Sequence, residues 1–320
     1  MTSAPAGPGP LTAALAGHAR AAVPAHPPYG PCSCAAATLA DRPDGLVVRH
    51  GGIVAKAHAP DDDPARLTRR LAVADRLPGV FLPPLDPAPV TLHGRPVTRW
   101  PYASPVDPDD PDAAPWEATA TLLARLHRAP VPAAVPPARG PAKAAAAVAG
   151  LRQQGAHPAV PVVLRAWAAL PGWARGDAPA PGPAALCHGD FHLGQLVRLP
   201  HGPWRLIDVD DVGLGAPAWD LARPAAWYAC GLLGPGEWAR FLDAYRAARG
   251  PAVPVAGDPW PALDVPARAL TVQTAARMIV KSAAEGRPLD EVEQCVVDAC
   301  ARIAAVPAAA EGELAPGGTT

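Results

Sequence analysis

Proline fills 45 of the chain's 320 positions, and glycine another 29. A proline has no amide proton to give to a helix or a strand ladder, and it fixes its own φ, so elements must begin, end or turn around it. Punctuation this dense favours many short elements joined by loops, and the chain carries no internal repeat. Apolar residues make up 49 %, ample for a sizeable core. Aromatics are only 5 %, so that core is built mainly of alanine, valine and leucine.

At 320 residues the chain has room for two lobes or one large domain. A net charge of −1 supplies no field to draw in nucleic acid or an anionic membrane. Cys32, Cys34, Cys187, Cys230, Cys295 and Cys300 are too scattered for a disulfide framework. His26 with Cys32 and Cys34 lacks a fourth ligand at ordinary zinc spacing. The start, MTSAPAGPGP, has no basic stretch followed by an apolar run, and no run of 18 apolar residues occurs. The expectation is a cytoplasmic protein with reduced thiols, monomeric or homodimeric, with no nucleic-acid or membrane partner.

The punctuation divides the chain. Residues 11–23 suit a short amphipathic helix. LVVRH (46–50) and IVAKAH (53–58) alternate as strands around Gly51–Gly52, a hairpin signal, and DRPDG (41–45) marks the turn before them. Asp63 and Pro64 open a helix over 65–77, with Leu67, Leu71, Ala74 and Leu77 at helical spacing. VFLPPL (80–85) leads to a strand pair ending in RPVTRW (95–100). Residues 101–115, rich in Pro and Asp, read as a hinge between an N-terminal lobe (1–100, with 1–33 an extension) and a C-terminal lobe (116–310). WEATATLLARLH (116–127) is a strong helix. Residues 131–150, low-complexity Ala/Pro, read as a loop entering a helix. Residues 218–305 are mainly helical, and 311–320 form a disordered tail.

The chemistry gathers in CHGDFHLGQ (187–195) and the segment after it. LVRL (196–199) and WRLI (204–207) flank PHGP, a hairpin signal. With Leu199 opposite Trp204, Leu196 falls opposite Ile207, and Gln195 and Asp208 stand side by side at the open end. An amide oxygen beside a carboxylate suits Mg²⁺, which takes few protein ligands. Asp190, upstream in the same loop, is able to accept a hydroxyl proton. Lys56, flanked by apolar residues on the third strand, is placed to grip nucleotide phosphates. Together these form a phosphoryl-transfer layout.

HGDFHLGQ followed by LIDVDDVGLGAPAWDLA (206–222) resembles the aminoglycoside phosphotransferase / choline kinase-like superfamily, whose signature is H-G-D-x-H-x-x-N, then I-D-x-[DE], then D-L-A. His188, Gly189, Asp190, His192, Asp208, Asp210, Asp220, Leu221 and Ala222 match. VVRHGGIVAKAH (47–58) and LLARLHRAP (122–130) extend the likeness over about residues 35–230. The resemblance implies an α+β, bilobal protein-kinase-like fold: a small antiparallel sheet with one helix, then a larger, mainly helical lobe. It implies an ATP- and Mg²⁺-dependent kinase acting on a hydroxyl of an aminoglycoside-, sugar- or amino-alcohol-like acceptor. By the same likeness Asp190 is the catalytic base or hydroxyl positioner, Asp208 the main metal ligand, and Lys56 the phosphate contact. Asp220 braces the loop, and Trp100 to Tyr102 form the adenine hinge.

Two positions depart from the pattern. Gln195 stands where asparagine is usual, and the form HGDxHLGQ also resembles maltokinase-type members. No glutamate precedes Glu117 to hold Lys56 from the small-lobe helix, which leaves Asp61, Asp62, Asp63 or Asp75 as substitutes. His188 and His192 read as structural supports of the loop, Asp210 as a second metal or water contact or a surface acid, and Asp211 as a surface acid. The alternative is a degenerate kinase fold that binds nucleotide without turnover. A hydrolase built on His188, Asp190 and His192 would leave Lys56, Gln195, Asp208 and Asp220 unexplained.

Overall fold

The computed structural model describes residues 9–22, 34, 36–42, 44–110, 113–154 and 157–305. His26, Cys32 and the tail at 311–320 lie outside them. The fold is α+β, an antiparallel sheet followed by a helical part.

The N-terminal elements are α1 (Pro10–Arg20), β1 (Ala36–Arg42), β2 (Gly45–His50), β3 (Ile53–Ala57), α2 (Pro64–Arg76), β4 (Val90–Leu92) and β5 (Arg95–Pro101). The five strands pair antiparallel in the order β1-β2-β3-β5-β4. Gly51, at φ 58°, makes the two-residue turn that pairs His50 with Ile53. Strand alternation then sorts the side chains. Leu46, Val48, Ile53, Ala55 and Ala57 meet Leu15 and Ala19 of α1 on one face, so Lys56 and Val54 point the other way. Asp63 caps α2 by accepting from the Ala65 amide at 2.9 Å.

The remaining elements are β6 (Ser104–Pro105), α3 (Trp116–His127), α4 (Gly140–Arg152), α5 (Val160–Ala168), α6 (Gly172–Arg175), β7 (Ala185–Cys187), β8 (Leu196–Arg198), β9 (Trp204–Leu206), β10 (Gly213–Gly215), α7 (Ala222–Cys230), α8 (Pro235–Ala247), α9 (Trp260–Ala284) and α10 (Glu291–Ala305). Leu67 and Leu71 of α2 share one core with Leu123 and Leu126 of α3 and Phe241 of α8. A second core joins α4, α5, α9 and α10. At 25 residues with Pro266 inside it, α9 departs from the short elements expected of this composition. Its packing against α4, α5, α7 and α10 outweighs the hydrogen bond that one proline removes. Among the described residues no helix is long and apolar enough to cross a membrane.

Three expectations change. Residues 104–105 of the expected linker are a strand, paired with Arg198 and Val197 of β8. Residues 80–82 run beside β9, with Leu82 N–H donating to Leu206 O at 2.9 Å and Leu206 N–H to Val80 O at 2.8 Å. The hairpin register is one residue away from the expected one: Arg198 faces Trp204 and Leu196 faces Leu206. The cause is the turn. Leu199 O accepts from Gly202 N–H, and His201 sits at φ 58°, so Leu199 belongs to the turn rather than the ladder.

Candidate active site

The loop after β7 is fixed from beneath. Asp220 lies buried after the 3₁₀ turn 217–219 and accepts from the backbone N–H groups of His188, at 2.6 Å, and Gly189, at 2.8 Å. His127 Nε2 reaches the same carboxylate at 3.0 Å, and His127 Nδ1 meets the Tyr245 hydroxyl at 2.7 Å. Burial would raise the Asp220 carboxyl's pKa, but these donors hold it below its ordinary range. Gly189 is at φ 85°, and a Cβ there would sit 2.3 Å from Asp211 O. Only glycine lets the HGD segment pass this close to residues 208–212. His188 Nε2 donates to Ile207 O at 2.8 Å, tying the loop to the end of β9.

At that end Asp208 adopts φ 67°, a left-handed conformation uncommon for a residue with a Cβ. Its Oδ1 lies 2.8 Å from Lys56 Nζ, and Asp210 Oδ2 lies 2.8 Å from the same ammonium. Residues 152 positions apart thus meet in one ion-pair cluster. Burial disfavours the ammonium, but the two carboxylates outweigh it and raise its pKa well above the ordinary lysine value; Asp210 is pushed down in turn. None of the four helix-start or helix acids pairs with Lys56. Asp63 is committed to its cap, and Asp62 sits beside Asp210 and His58, its pKa raised by burial and by Asp210. The helix contributes Arg70 instead, buried, its Nε donating to Val212 O at 3.0 Å.

Asp210 is not a surface acid. Its Oδ1 accepts from His58 Nδ1 at 2.8 Å. His58 Nε2 meets Thr98 Oγ1 at 2.8 Å, and Thr98 accepts from Trp100 Nε1 at 2.9 Å. Trp100 is buried. Tyr102 carries the Arg49 guanidinium 3.4 Å above its ring, and its backbone N–H is committed to Gly52 O at 2.7 Å.

The Gln195 side chain stands between His192 and Asp208, its terminal Nε2 as placed 3.2 Å from His192 Nε2 and 3.2 Å from Asp208 Oδ2. Burial, then Arg223, push His192 down to about 4, so the imidazole is neutral near pH 7. Its Nδ1 accepts from Gly194 N–H at 3.1 Å, which leaves its one proton on Nε2. A donor there calls for the amide oxygen, and turning the amide to supply it aims that oxygen at Asp208 as well. Two oxygens facing each other, with Asp210 adjacent, make a hard donor set of the kind Mg²⁺ takes.

Asp190 belongs to a second cluster. Lys143 Nζ, from α4, lies 2.6 Å from Asp190 Oδ2 and 2.6 Å from Asp211 Oδ2. Arg223 of α7 donates to Asp190 Oδ1 at 3.1 Å and to Phe191 O at 3.0 Å. Burial opposes the charge, but Lys143 and then Arg223 hold the Asp190 carboxyl far below its usual range. Asp211, expected at the surface, is buried here because Lys143 neutralises it.

The Ala/Pro segment 131–150 delivers Lys143. Pro136 O and Ala138 N–H bond to Leu214 of β10. Gly140 then lets α4 lie on Trp219, where a Cβ would fall 2.2 Å from the indole Nε1. Lys143 is a site residue that no sequence expectation named. The available signal was a lone lysine in a stretch otherwise without charge between Arg139 and Arg152.

Residues 44–262 match the model of the phosphotransferase enzyme family, APH. The match covers most of the chain, and the chain belongs to that family. Similar solved structures include a choline/ethanolamine kinase family protein from Mesorhizobium loti, with 17 % identity, 92 % of this chain and 93 % of that one covered, and a TM-score of 0.53. Spectinomycin phosphotransferase, solved with ADP and spectinomycin, matches at 13 % identity over 84 % and 92 %, with a TM-score of 0.56. An ethanolamine kinase from Plasmodium vivax matches at 11 % over 86 % and 83 %, with a TM-score of 0.54. At such identities the likeness is one of fold. No curated protein matches the sequence.

Proposed function

We propose that this chain transfers the γ-phosphoryl group of ATP to a hydroxyl of a small molecule. The observation that carries this reading is the Lys56 ammonium, held 2.8 Å from both Asp208 and Asp210, beside a loop bearing Asp190 and Gln195. Family membership supports phosphotransfer in general, and a similar structure solved with ADP supports a nucleotide as donor. Lys56 exchanges its carboxylate partners for phosphate oxygens when nucleotide enters. Trp100 and Tyr102 border the adenine. The Tyr102 N–H is already committed to Gly52, so the adenine edge is read by other backbone groups after β5. Gln195, Asp208 and Asp210 would hold Mg²⁺, whose chemistry is to neutralise charge developing on the phosphates.

The acceptor oxygen forms its bond to the γ-phosphorus as the bond to the bridging oxygen of the departing ADP breaks. The hydroxyl proton passes to Asp190. With its pKa held so low, Asp190 is a weak base, and its larger contribution is to orient the hydroxyl in line, which a loose phosphoryl transition state rewards. His188, His192 and Asp220 keep the loop in shape. Residues 101–115 serve as the hinge between the lobes.

The test is ATP consumption with product mass across a hydroxyl-compound library. Asp190→Ala is expected to abolish turnover and to keep the thermal shift given by nucleotide with Mg²⁺. Turnover surviving that substitution contradicts the role given to Asp190. A thermal shift without turnover in the wild-type chain would favour a non-catalytic nucleotide-binding fold, the reading that the missing helix glutamate supports.

A further inference from the structure

A cavity of about 170 Å³ opens between the end of α7, the first half of α9 and the end of α10. A volume of about 150 Å³ is enough to take a benzene ring. None of the residues that build the candidate active site lines it. Its α9 wall is Trp260, Asp264, Ala267, Arg268 and Thr271, whose spacing of i, i+4, i+7, i+8 and i+11 puts them on one face. Arg277, whose charge acts on Asp190, follows Thr271 by six residues and so sits about 120° away round the helix. The cavity and the Asp190 cluster thus lie against different faces of α9.

The cavity has an apolar side and a charged rim. Trp260, Ala267, Ala299 and Ile303 form the apolar side. Trp260 is held in place by stacking on Tyr228 and Trp238, with ring centroids 6.3 and 6.1 Å away, so that wall is preformed. On the rim, Asp264 is committed to Arg268 Nε at 2.9 Å within α9. Arg302 stands exposed, and among the described residues no carboxylate forms an ion pair with it. Asp298, one turn earlier on α10, accepts instead from Gln294 Nε2 at 2.8 Å. Burial and then Cys295 push the Cys230 thiol up while Arg302 pulls the other way, so the guanidinium's field reaches the α7 wall. Two guanidiniums and one carboxylate leave the rim with surplus positive charge and one guanidinium without an anionic partner.

We propose that this cavity binds a small aromatic carboxylate, its ring against Trp260, Ala267 and Ile303 and its carboxylate on the Arg302 guanidinium. A planar guanidinium presents two N–H groups to the two oxygens of a carboxylate, a match that a neutral group lacks. An ammonium in the same place meets like charge. A carboxylate without a ring leaves the apolar side uncovered. The site is separate from phosphotransfer and does not depend on that reading.

The test is calorimetric titration of benzoate into the full chain, with benzylamine, benzyl alcohol and acetate as controls. Benzoate is expected to bind with a Kd of about 1 mM or tighter, within reach of a ligand of its size, and each control at least about tenfold more weakly. Arg302→Met is expected to raise the benzoate Kd about tenfold, and Arg302→Lys by less, because the charge stays and only the planar fork is lost. Arg302 is exposed, so both variants are expected to melt with the parent. Location is read separately from Cys230, which lines the cavity. Its alkylation by iodoacetamide, followed by peptide mass, is expected to slow at least about threefold at saturating benzoate and to be unchanged by acetate. Benzylamine bound as tightly as benzoate, a benzoate Kd unmoved by Arg302→Met, Cys230 alkylation unaffected by benzoate, or no benzoate binding up to about 10 mM would each overturn the inference. Each of these results leaves the phosphotransfer assignment standing.

Discussion

Residues 208–211 are clasped twice. On one side Lys56, from the sheet, bridges Asp208 and Asp210. On the other Lys143, from the helical part, bridges Asp190 and Asp211. Each clasp sets one lysine between two acids, yet the two differ in origin. The first is built from a strand lysine and a loop that follows a hairpin. The second depends on an Ala/Pro stretch, a glycine that admits Trp219, and a helix that arrives from about 50 residues upstream of the loop. The first clasp faces the proposed nucleotide and the second faces the proposed acceptor, so their disruption should separate donor effects from acceptor effects.

The sharpest break comes from the first clasp. Asp208→Ala removes a proposed metal ligand and half of the Lys56 bridge. Turnover is expected to fall by about 10³-fold, the order seen when one electrostatic stabiliser is lost, with the ATP KM rising. Initial rates over an ATP series check it.

Breaking the second clasp should act differently. Lys143→Met is expected to lower kcat by roughly 10²-fold with little change in the ATP KM. It should also move the acid limb of the pH–rate profile. Lys143 holds the Asp190 carboxyl far below the ordinary carboxylate range, so removing the ammonium raises that pKa, and activity fails at a higher pH than in the parent. The same sign applies to stability. A depressed carboxyl contributes stability that is full above its unfolded value near 4 and is lost as pH falls. The parent therefore loses more stability than Lys143→Met on acidification, which denaturant melts at pH 7 and pH 3 would detect.

Gly140→Ala tests how the second clasp is delivered. The added methyl meets the Trp219 indole, so α4 must shift, at a cost of about 1–3 kcal/mol in denaturant melts, and Lys143 moves with it. A smaller effect is expected from Asp63→Ala, which touches neither clasp. Loss of the α2 cap should cost about 1 kcal/mol and leave kcat within twofold.

The contrast also explains what could be read from the chain alone. Alternation in IVAKAH places Lys56 on the sheet face away from α1, and spacing along the loop brings Gln195 to Asp208 even though the expected hairpin register was one residue off. These are short-range patterns, and a hairpin's open end tolerates a one-residue error when the chain leaves the ladder there. Lys143 was silent because its placement depends on contacts between the Ala/Pro stretch, β10 and Trp219, none of which leaves a periodic mark. Asp211 departs from the expected surface position for the same reason: an acid is buried only where a partner arrives, and its partner, Lys143, comes from that unpatterned stretch. The absent helix glutamate suggested a shorter acid from α2. The acids that hold Lys56 come from the post-hairpin loop, which Arg70 of α2 anchors from the other side.

The central claim is that Lys56 and Asp208 meet the donor nucleotide while Asp190 meets the acceptor. Calorimetric titration of AMP-PNP with Mg²⁺ into the parent chain, Lys56→Met, Asp208→Ala and Asp190→Ala measures that division directly. The account predicts a Kd for Asp190→Ala within about threefold of the parent, and a loss of at least about tenfold in each of the other two. Equal binding by all four chains would contradict it.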